Sequence, residues 1–503
     1  MLFRSEAGAQ VALRDVYGGW WDAADWDRRP YHFFCVADLL NAYLMSPGNF
    51  CDGQLDLPES GNGIPDILSE AEWGLDIWRK LQMEDGGVGC WVEMRSHPRY
   101  PDFAHTSKAK MYASCPTCEG SWQYAYYAAK FVVCLRLAAK QASTSVAGAL
   151  LANKKADLFL ESAMRAFDYG RNDANFAPRT YSAGGITETW SETTTLRDTW
   201  KFLAAQALYA ASLSDTYKPY LTIAEYRALS VTINNTDSFS KYIPHEIFFV
   251  DGFDDIKEDI RTDVVRDANT WLTHMEGYAY RNVHYSNNWI TYTSWGVGHS
   301  ASRGKVFATA YWLTQDERYK DALFLILDWT VGCNALGRSH TSGLGTVTPV
   351  RFLYNVGNWI MERDQTLTVQ EPPPGITVYT YGGTAIMDEA MRLFGVFENA
   401  RSGGTNFTGI SLNLLPGEYM NTVGQTSTTI RTWLALNRPV WRAYSAIEEF
   451  TVAQNEFTIW ETISPNVLCA AACLSSSFTP PASWKTVTPS SDYRTCEGHV
   501  FLP

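Results

Sequence analysis

Long apolar runs and basic charge are both scarce in this sequence of 503 residues. No apolar run approaches the roughly 20 residues that a membrane-spanning helix needs, so we expect no membrane association. Lysine and arginine number 41 against 54 aspartates and glutamates, which gives a net charge of −13. This charge argues against a nucleic-acid partner, because phosphate binding needs a basic face, and it suits a neutral or cationic ligand better.

Cysteine is also sparse, since ten cysteines in 503 residues are too few for a disulfide-stabilised scaffold. Cys115-Pro-Thr-Cys118 could be half of a zinc site, completed by Cys51 or Cys90, or simply a disulfide turn. No second pair with this spacing accompanies it. Five other cysteines lie in apolar, helix-like runs, where we expect buried thiols: Cys35, Cys134, Cys333, Cys469 and Cys473.

Helical periodicity dominates the chain, and the alternation typical of β-strands is scarce. The segment Tyr31–Leu44 is apolar at helical spacing, and Ile64–Gln82 opens with Pro65 and Asp66, which are favoured in a first helical turn. The remaining helical segments are 119–141, 154–170, 194–213, 224–233, 301–315, 318–333, 384–400 and 465–474. They come in pairs, which predicts an all-α array of helical hairpins. No linker interrupts them, so we expect a single domain over 1–503.

Long connections separate the predicted helices. They span 46–63, 83–113, 171–193, 236–300, 334–383 and 401–464. Irregular loops of this length in a compact domain are usually functional. If the hairpins close into a ring, these loops gather on one face, where some of the 19 tryptophans and 27 tyrosines could line a groove. Most of these aromatic residues are expected to fill the core.

The stretch from Val16 to Asp27 contains two carboxylates, Asp22 and Asp25, beside a cluster of aromatic residues. If the stretch forms a helical turn, the three-residue spacing directs both carboxylates to the same side, where they could share one water molecule. Gly18-Gly19 lets the backbone bend before them. The alternative is a helix-entry turn with capping aspartates and buried tryptophans.

Four stretches, in this order along the chain, resemble glycoside hydrolase family 9, the inverting cellulase family. Gly18-Gly-Trp-Trp-Asp-Ala-Ala-Asp25 is similar to the family's GGWYDAGD, and Leu57–Leu75 is almost the family's own text. Gly332–Gly345 resembles GxNPxGRSxVTGxG, and Asn455-Glu-Phe-Thr-Ile459 stands where the family has NEVAI. Each match alone could be chance, but four in register are a specific likeness over nearly the whole chain.

The resemblance implies an (α/α)6 barrel that hydrolyses β-1,4-glycosidic bonds with inversion in cellulose, cello-oligosaccharides or mixed-linkage glucan. By this likeness Asp25 is the general base, Asp22 helps to hold the attacking water, and Glu456 is the general acid. An inverting enzyme needs its base and acid roughly 6.5–9.5 Å apart so that a water fits between them. We expect an arginine, backbone N–H groups or the Ser/Thr-rich loops to keep the base ionised.

Candidates for substrate binding come from the aromatic-rich stretches, the long loops and the resemblance, and they are aromatic, basic or acidic residues. They are Trp21, Trp91, Trp289, Trp295, Arg338, His340, Arg351, Trp460 and Glu461. The family needs no cofactor for catalysis, although some members bind structural calcium or zinc. The acidic stretch Asp251–Asp263 could bind calcium, but such a run is more often a solvated surface.

Two departures from the family pattern bear on the substrate. The family's Pro-His-His-Arg stretch should follow Gly345, but Pro349-Val-Arg-Phe-Leu353 has no histidine, which leaves Arg351 as the only counterpart. Glu461 stands where a subsite aromatic is expected, and its carboxylate could face the ammonium group of an amino sugar. The alternative activity is therefore an exo-β-glucosaminidase acting on chitosan oligosaccharides. Glu461 could also do no more than bond its neighbouring loop.

The remaining expectations concern location and less favoured functions. Family members are secreted or periplasmic, yet the first residues lack a charged segment followed by an apolar one, so we expect no signal peptide in this chain. Few residues precede Gly18, so we expect a truncated N-terminus without the first barrel helix. A polysaccharide lyase or a non-catalytic carbohydrate-binding protein would also suit a helical fold of this kind, although both are less favoured. The sequence does not indicate an oligomeric state.

Overall fold

A computed structural model gives the fold of the chain. It describes residues 2–6, 9–14, 18–22, 27–29, 32–89, 91–94, 111–141, 144–176, 178–183, 186–234, 245–276, 296–334, 337–349, 374–378, 457–459 and 462–463. The chain divides into two compact units. The first comprises Met1–Asn269, Lys305–Lys320 and Ile463–Pro503, and the second comprises Thr270–Gly304 and Asp321–Thr462.

The described chain is mainly helical. Its helices are α1 (His32–Met45), α2 (Asp66–Leu81), α3 (Cys118–Ala139), α4 (Val146–Gly170), α5 (Thr194–Ser212), α6 (Ile223–Asn234), α7 (Asp254–Glu276), α8 (Gly296–Thr314) and α9 (Glu317–Val331). Eight of them coincide with predicted segments, within the few residues by which helix ends usually vary, except that α4 and α8 begin earlier. The predicted helices at 384–400 and 465–474 lie outside the described residues.

Helix α7 was missed, because the segment 236–300 was interpreted as one long connection. Its buried side chains Ile256, Ile260, Val264 and Ala268 follow one another at four-residue spacing along a single helical face. The acidic run that suggested calcium spans the start of this helix. Negative charge is favourable there because the N-terminal end of the helix dipole is positive. The many charged residues of this segment obscured the helical spacing of its apolar residues.

The acidic residues of α7 have partners within the first unit. Arg227 on α6 binds Asp259 at 2.7 Å, and the hydroxyl of Tyr226 donates to Asp263 at 3.1 Å. Asp263 also pairs with Arg266 at 2.6 Å. Asp259 and Asp263 thus have protein partners, so these two carboxylates do not require a bound cation.

Short strands accompany the helices. They are β1 (Leu2–Glu6), β2 (Ala9–Arg14), β3 (Val92–Met94), β4 (Met111–Ala113), β5 (Arg179–Ala183) and β6 (Ile186–Trp190). The first four form one sheet in the order β2-β1-β4-β3, in which β1 and β4 are parallel and the other pairs antiparallel. Strands β5 and β6 form a separate antiparallel hairpin. The connections predicted at 83–113 and 171–193 thus contain regular structure.

Helix α3 is the centre of the first unit and packs against α1, α2, α4 and α5. Thr117 caps its N-terminus by accepting a hydrogen bond from the Gly120 N–H at 2.9 Å, and Ser145 caps α4 in the same way. Aromatic rings fill the space around α3. Phe33 stacks on Tyr127 with ring centroids 5.1 Å apart, which joins α1 to α3.

Two ion pairs are buried inside the first unit. Lys130 on α3 lies 2.8 Å from Glu246, and Lys305 on α8 lies 2.5 Å from Asp38 on α1. The Lys130 and Glu246 side chains have no solvent exposure. Lys130 also donates to the Tyr126 hydroxyl at 3.1 Å, and burial raises the pKa of that tyrosine well above its usual value. Such pairs link helices that are distant in sequence.

The cysteines are only partly as predicted. Cys35 and Cys134 are buried, but Cys333 is exposed. It was expected inside a helix, yet α9 ends at Val331 and Gly332 turns the chain with a φ of +136°. Cys333 therefore lies beyond the helical face that would have buried it. Cys469 and Cys473 lie outside the described residues.

Across the described ranges, the helices are too short or too polar to cross a membrane.

The Lys130–Glu246 pair predicts an asymmetric effect on stability. Lys130→Met leaves a buried carboxylate without its cation, so we expect the free energy of unfolding to fall by about 3–5 kcal/mol. The double variant Lys130→Met/Glu246→Leu removes both charges and should recover much of that loss. Urea unfolding measured on the parent and both variants tests this expectation.

Lys201→Met is the control, since Lys201 forms a partly exposed pair with Asp198 within one helix, 3.5 Å apart. Such a pair contributes at most about 1 kcal/mol. A loss in Lys130→Met no larger than in this control would show that the buried pair does not stabilise the unit.

Candidate active site

The residues Gly18–Asp22 lie against helix α2. Gly18 and Gly19 have φ angles of +113° and +72°, a conformation that side chains disfavour. The Gly19 N–H donates to the Trp73 carbonyl at 3.0 Å, and a Cβ at Gly19 would lie only 2.9 Å from a methyl carbon of Ile77. The glycine pair thus allows the backbone to contact the helix directly.

Trp20 fixes this contact. Its ring lies over Gly74, where an added Cβ would come within 2.2 Å of two ring carbons. Its Nε1–H donates to Glu70 at 2.6 Å. Burial raises the pKa of the Glu70 carboxyl, and this hydrogen bond opposes the shift. Trp20 is therefore a packing residue, as the alternative interpretation of this stretch expected, whereas the neighbouring Trp21 is half-buried.

Asp22 lies two residues after Trp20 and is 8 % exposed. Its backbone N–H donates to the Asp27 carbonyl at 2.9 Å, so the chain returns close to it five residues later. One carboxylate oxygen, Oδ2, lies 3.8 Å from Nε of Arg29, and the other, Oδ1, lies 3.5 Å from Nε2 of His32. The carboxylate is thus held between a cation and an imidazole.

Arg29 is itself held by two further carboxylates. Its guanidinium binds Glu93 on β3 through two nitrogens, at 2.6 and 3.2 Å, and it donates to Asp27 at 3.0 Å. The geometry is the bidentate one that gives arginine its directional strength. Arg29 therefore connects the Asp22 loop to the small sheet. The expectation that an arginine keeps the base Asp25 ionised stays a prediction, because Asp25 lies outside the described residues.

Arg28 strengthens the same connection. Its backbone forms two hydrogen bonds with Val92 on β3, both 2.9 Å long, and its side chain donates to the Gly18 carbonyl at 3.1 Å. Burial lowers the pKa of Arg28 to about 10, which leaves it charged at neutral pH. The sequence analysis missed Arg28, Arg29 and His32 as parts of the site. The charged run directly after the aromatic cluster was the available signal.

Comparison with known proteins identifies this arrangement. The sequence profile described as glycosyl hydrolase family 9 matches residues 4–379. The chain belongs to glycosyl hydrolase family 9. The family membership predicted from the four stretches is thus confirmed.

Family 9 relatives agree in sequence and in fold. Endoglucanase C of Cellulomonas fimi is 27 % identical over 386 residues, which make up 72 % of this chain and 32 % of that protein. The chain thus spans about a third of the length of this curated relative. The crystal structure of the family 9 endoglucanase J30 has a TM-score of 0.64 at 19 % identity, covering 93 % of this chain and 76 % of that one.

A thermostable endoglucanase from Alicyclobacillus acidocaldarius, solved as a single mutant, has a TM-score of 0.63 at 16 % identity. It covers 94 % of this chain and 77 % of its own. At these identities the likeness concerns the fold, and it confirms the predicted (α/α)6 class. The predicted absence of the first barrel helix stays a prediction.

Several predicted site residues of this family 9 chain lie outside the described residues. They are Asp25, Trp289, Trp295, Arg351, Glu456, Trp460 and Glu461. The predicted grouping of Asp22, Asp25 and Glu456 therefore stays a prediction. Of the three, Asp22 is the one whose surroundings the structure describes.

Trp91 is 5 % exposed and lies directly before β3. Its backbone carbonyl accepts a hydrogen bond from the Ser114 N–H at 2.9 Å, and its own N–H donates to the Ser114 hydroxyl at 3.4 Å. A ring this buried offers little face to a sugar, so its place favours a role in packing.

In the second unit, His340 is fully buried, and burial lowers its pKa to about 3. Its ring packs 5.2 Å from that of Trp329, and its backbone N–H donates to the Thr330 carbonyl at 2.8 Å. Asn334 donates to the carbonyls of Trp329 and Arg338, at 2.7 and 2.8 Å. His340 thus supports the loop after α9. Asn334, which the sequence analysis did not single out, shapes the same loop. Arg338 is half-buried there.

The region of Cys115 and Cys118 is buried, whereas Cys51 is exposed and Cys90 lies outside the described residues. Within the described part of the chain, no cluster of three or more His, Cys, Asp or Glu side chains is placed to hold a metal ion. A zinc site that includes Cys90 stays a prediction.

Next to Cys118, the Glu119 N–H donates to the Glu192 carboxylate at 2.6 Å, while Gln123 donates to the Glu119 carboxylate at 2.9 Å. Burial, followed by the nearby charge of Glu192, raises the pKa of Glu119 to about 7. The two carboxyl groups therefore lie close together in a partly buried position at the start of α3.

Replacing Gly74 tests whether Trp20 anchors the loop. Alanine normally favours a helix over glycine by about 1 kcal/mol, but at this position its methyl group would overlap the Trp20 ring. We expect Gly74→Ala to lower the free energy of unfolding by about 1–3 kcal/mol and to reduce turnover. Urea unfolding and a hydrolysis assay measure both effects.

Gly48→Ala is the matched control, because no heavy atom lies within 4 Å of a Cβ at that position. Its stability should stay within about 0.5 kcal/mol of the parent. A stabilised Gly74→Ala variant with full activity would contradict the proposed anchoring role of Trp20.

The raised pKa of Glu119 predicts how stability depends on pH. In the unfolded chain this carboxyl ionises near pH 4.3, whereas in the folded chain its pKa is about 7. The folded state thus retains the proton longer, so its contribution to stability is complete below the unfolded pKa and is lost as the pH rises towards 7. Glu119→Gln has no proton to lose.

We therefore expect the melting temperature of Glu119→Gln, relative to the parent, to rise between pH 5 and pH 7 and to level off above that range. Scanning calorimetry at a series of pH values measures the difference. Glu84→Gln, at an exposed position, should show a constant difference. A constant difference for Glu119→Gln as well would mean that the carboxyl ionises normally in the folded protein.

Proposed function

We propose that this family 9 chain hydrolyses β-1,4-glycosidic bonds of cellulose-type β-glucans with inversion of the anomeric carbon. Two findings support the proposal. The family match covers residues 4–379, and a relative that is 27 % identical is named an endoglucanase. The observation that carries it is the position of Asp22, in the stretch that resembles the family's GGWYDAGD. Its carboxylate is buried, and Oδ2 lies 3.8 Å from Nε of Arg29.

The chemistry assigns one role to each of three carboxylates. Asp25 removes a proton from water as its oxygen attacks the anomeric carbon, and Asp22 holds that water in line. Glu456 donates its proton to the leaving glycosidic oxygen on the opposite side of the sugar. The electrons of the broken bond remain on that oxygen, so one water is consumed for each bond broken, and the product carries the inverted configuration.

The surroundings of Asp22 suit this division. A water-holding carboxylate must stay ionised in a partly buried place, which requires a nearby cation. Arg29 supplies that charge, and Glu93 and Asp27 keep it from moving. Asp22 can thus hold the water in a fixed position while Asp25 exchanges the proton.

Trp21, half-buried next to Asp22, is the described aromatic residue best placed to stack on a sugar ring. Polymeric substrates do not enter cells intact, so the proposal places the protein outside the cytoplasm, in the medium or the periplasm. Catalysis by three carboxylates requires no cofactor.

One sequence feature favours a second candidate substrate. Glu461 follows Trp460 close after the proposed acid, and a carboxylate there could bind the ammonium group of glucosamine. The alternative function is therefore an exo-β-glucosaminidase on chitosan oligosaccharides, with the same three carboxylates in the same roles.

The product profile on cellotetraose and on the glucosamine tetramer tests the proposal. We expect shorter cello-oligosaccharides from the first substrate, and proton NMR should show the α-anomer forming before mutarotation, as inversion requires. Stepwise release of glucosamine would establish the alternative substrate instead. A protein inert on both substrates would overturn the proposed function.

The same assay tests the roles of the carboxylates. Asp25→Asn and Glu456→Gln should each lose about 10²–10⁴ in rate, because each removes one proton-transfer partner. Glu161→Gln, an exposed position on α4, should match the parent. Parent-like rates in either acid-to-amide variant would show that another residue carries out that proton transfer.

A further inference from the structure

His32, the first residue of α1, lies almost fully buried between two groups of opposite hydrogen-bonding character. Its Nδ1 lies 3.5 Å from the backbone N–H of Arg29, which can only donate. Its Nε2 lies 3.5 Å from Oδ1 of Asp22, a carboxylate that can only accept. The ring therefore bridges the Arg29 backbone and the Asp22 side chain.

This arrangement determines where the imidazole proton sits. Burial lowers the pKa of His32, and the charges of Arg28 and Arg29 act in the same direction, while Asp22 acts against them. The ring is thus neutral at neutral pH. Because Nδ1 accepts from Arg29, the single ring proton belongs on Nε2, the nitrogen that faces Asp22.

Arg29 cannot hold Asp22 in place alone. Its two terminal nitrogens are engaged with Glu93 and Asp27, and its Nε is 3.8 Å from Asp22, beyond hydrogen-bond distance. It supplies charge, while the direction in which the carboxylate plane points needs a second contact. His32 provides that contact on the other oxygen.

We propose that His32 is a positioning residue for Asp22, whose Nε2–H fixes the orientation of the carboxylate that holds the attacking water. The inference rests on the proposed function for the role of the water, but the 3.5 Å contact between Nε2 and Asp22 does not. Loss of this donor removes one constraint on the χ2 angle of the carboxylate, so the water is held less well. His32 does not contact the sugar, so substrate binding should not depend on it.

Nitrogen NMR of protein with ¹⁵N-labelled histidine tests the hydrogen bond independently of activity. The sequence has nine histidines, and comparison with His32→Gln identifies the His32 signals. We expect a neutral ring with its proton on Nε2, and an Nε2–H resonance that moves upfield in Asp22→Asn, because an amide oxygen is a weaker acceptor than a carboxylate. A proton on Nδ1, or no response to Asp22→Asn, overturns the inference.

Kinetics on cellotetraose test the consequence. His32→Met fills a similar volume without a donor, and we expect kcat to fall by up to about 100-fold while KM stays near the parent value. His32→Gln places an amide N–H near the position of Nε2 and should recover much of that loss. Rescue by this conservative change is not expected of a residue that only fills space.

His245→Gln is the matched control, because His245 is equally buried in the same unit but bonds the Thr309 hydroxyl at 3.0 Å. It should keep the parent kcat once both proteins are folded, as judged by circular dichroism. If the parent hydrolyses cellotetraose and both His32 variants match it, the positioning role fails while the proposed function stands. If the parent is inert, the proposed function fails, and the NMR result alone decides whether His32 holds Asp22.

Discussion

The contact between the glycine pair and helix α2 is the constraint on which the site depends. Gly19 approaches the helix closely enough to bond the Trp73 carbonyl, and Trp20 occupies the space that a side chain at Gly74 would need. Helix stability alone would favour alanine at that position. The ring takes that place instead, and it fixes where the next residues of the loop, including Asp22, leave the helix surface.

A second constraint is electrostatic. Asp22, Asp27 and Glu93 bring three carboxylates together in a partly buried place, in a protein with a net charge of −13. Uncompensated carboxylates at such distances would repel one another and take up protons. Arg29 meets all three, and an arginine suits this task better than a lysine because its planar fork binds two acids in fixed directions and keeps its charge.

Sequence reasoning succeeded where periodicity or local motifs carry the information. Helix α2 was predicted almost to its ends, because its buried face, Pro65 at the N-cap and Asp66 in the first turn are local signals. Helix α7 was missed because its charged residues hid a buried face of small and branched side chains. The roles of Trp91 and His340 depend on which way a side chain faces, which no local pattern records. The Arg29 network joins residues far apart in sequence, so only the folded chain brings Glu93 to it.

Two buried histidines of the first unit, His32 and His245, show why the position of His32 matters more than its burial. The Thr309 hydroxyl gives its single proton to the Lys305 carbonyl at 3.0 Å, so it accepts from Nε2 of His245, and that contact joins two neutral groups. His32 faces a backbone N–H on one side and a carboxylate on the other, and neither can exchange its role. The Arg29 backbone N–H therefore fixes the ring tautomer, and that tautomer directs an N–H towards Asp22. A neutral imidazole in that position orients an anion without adding charge, which leaves the balance between the three carboxylates and Arg29 unchanged.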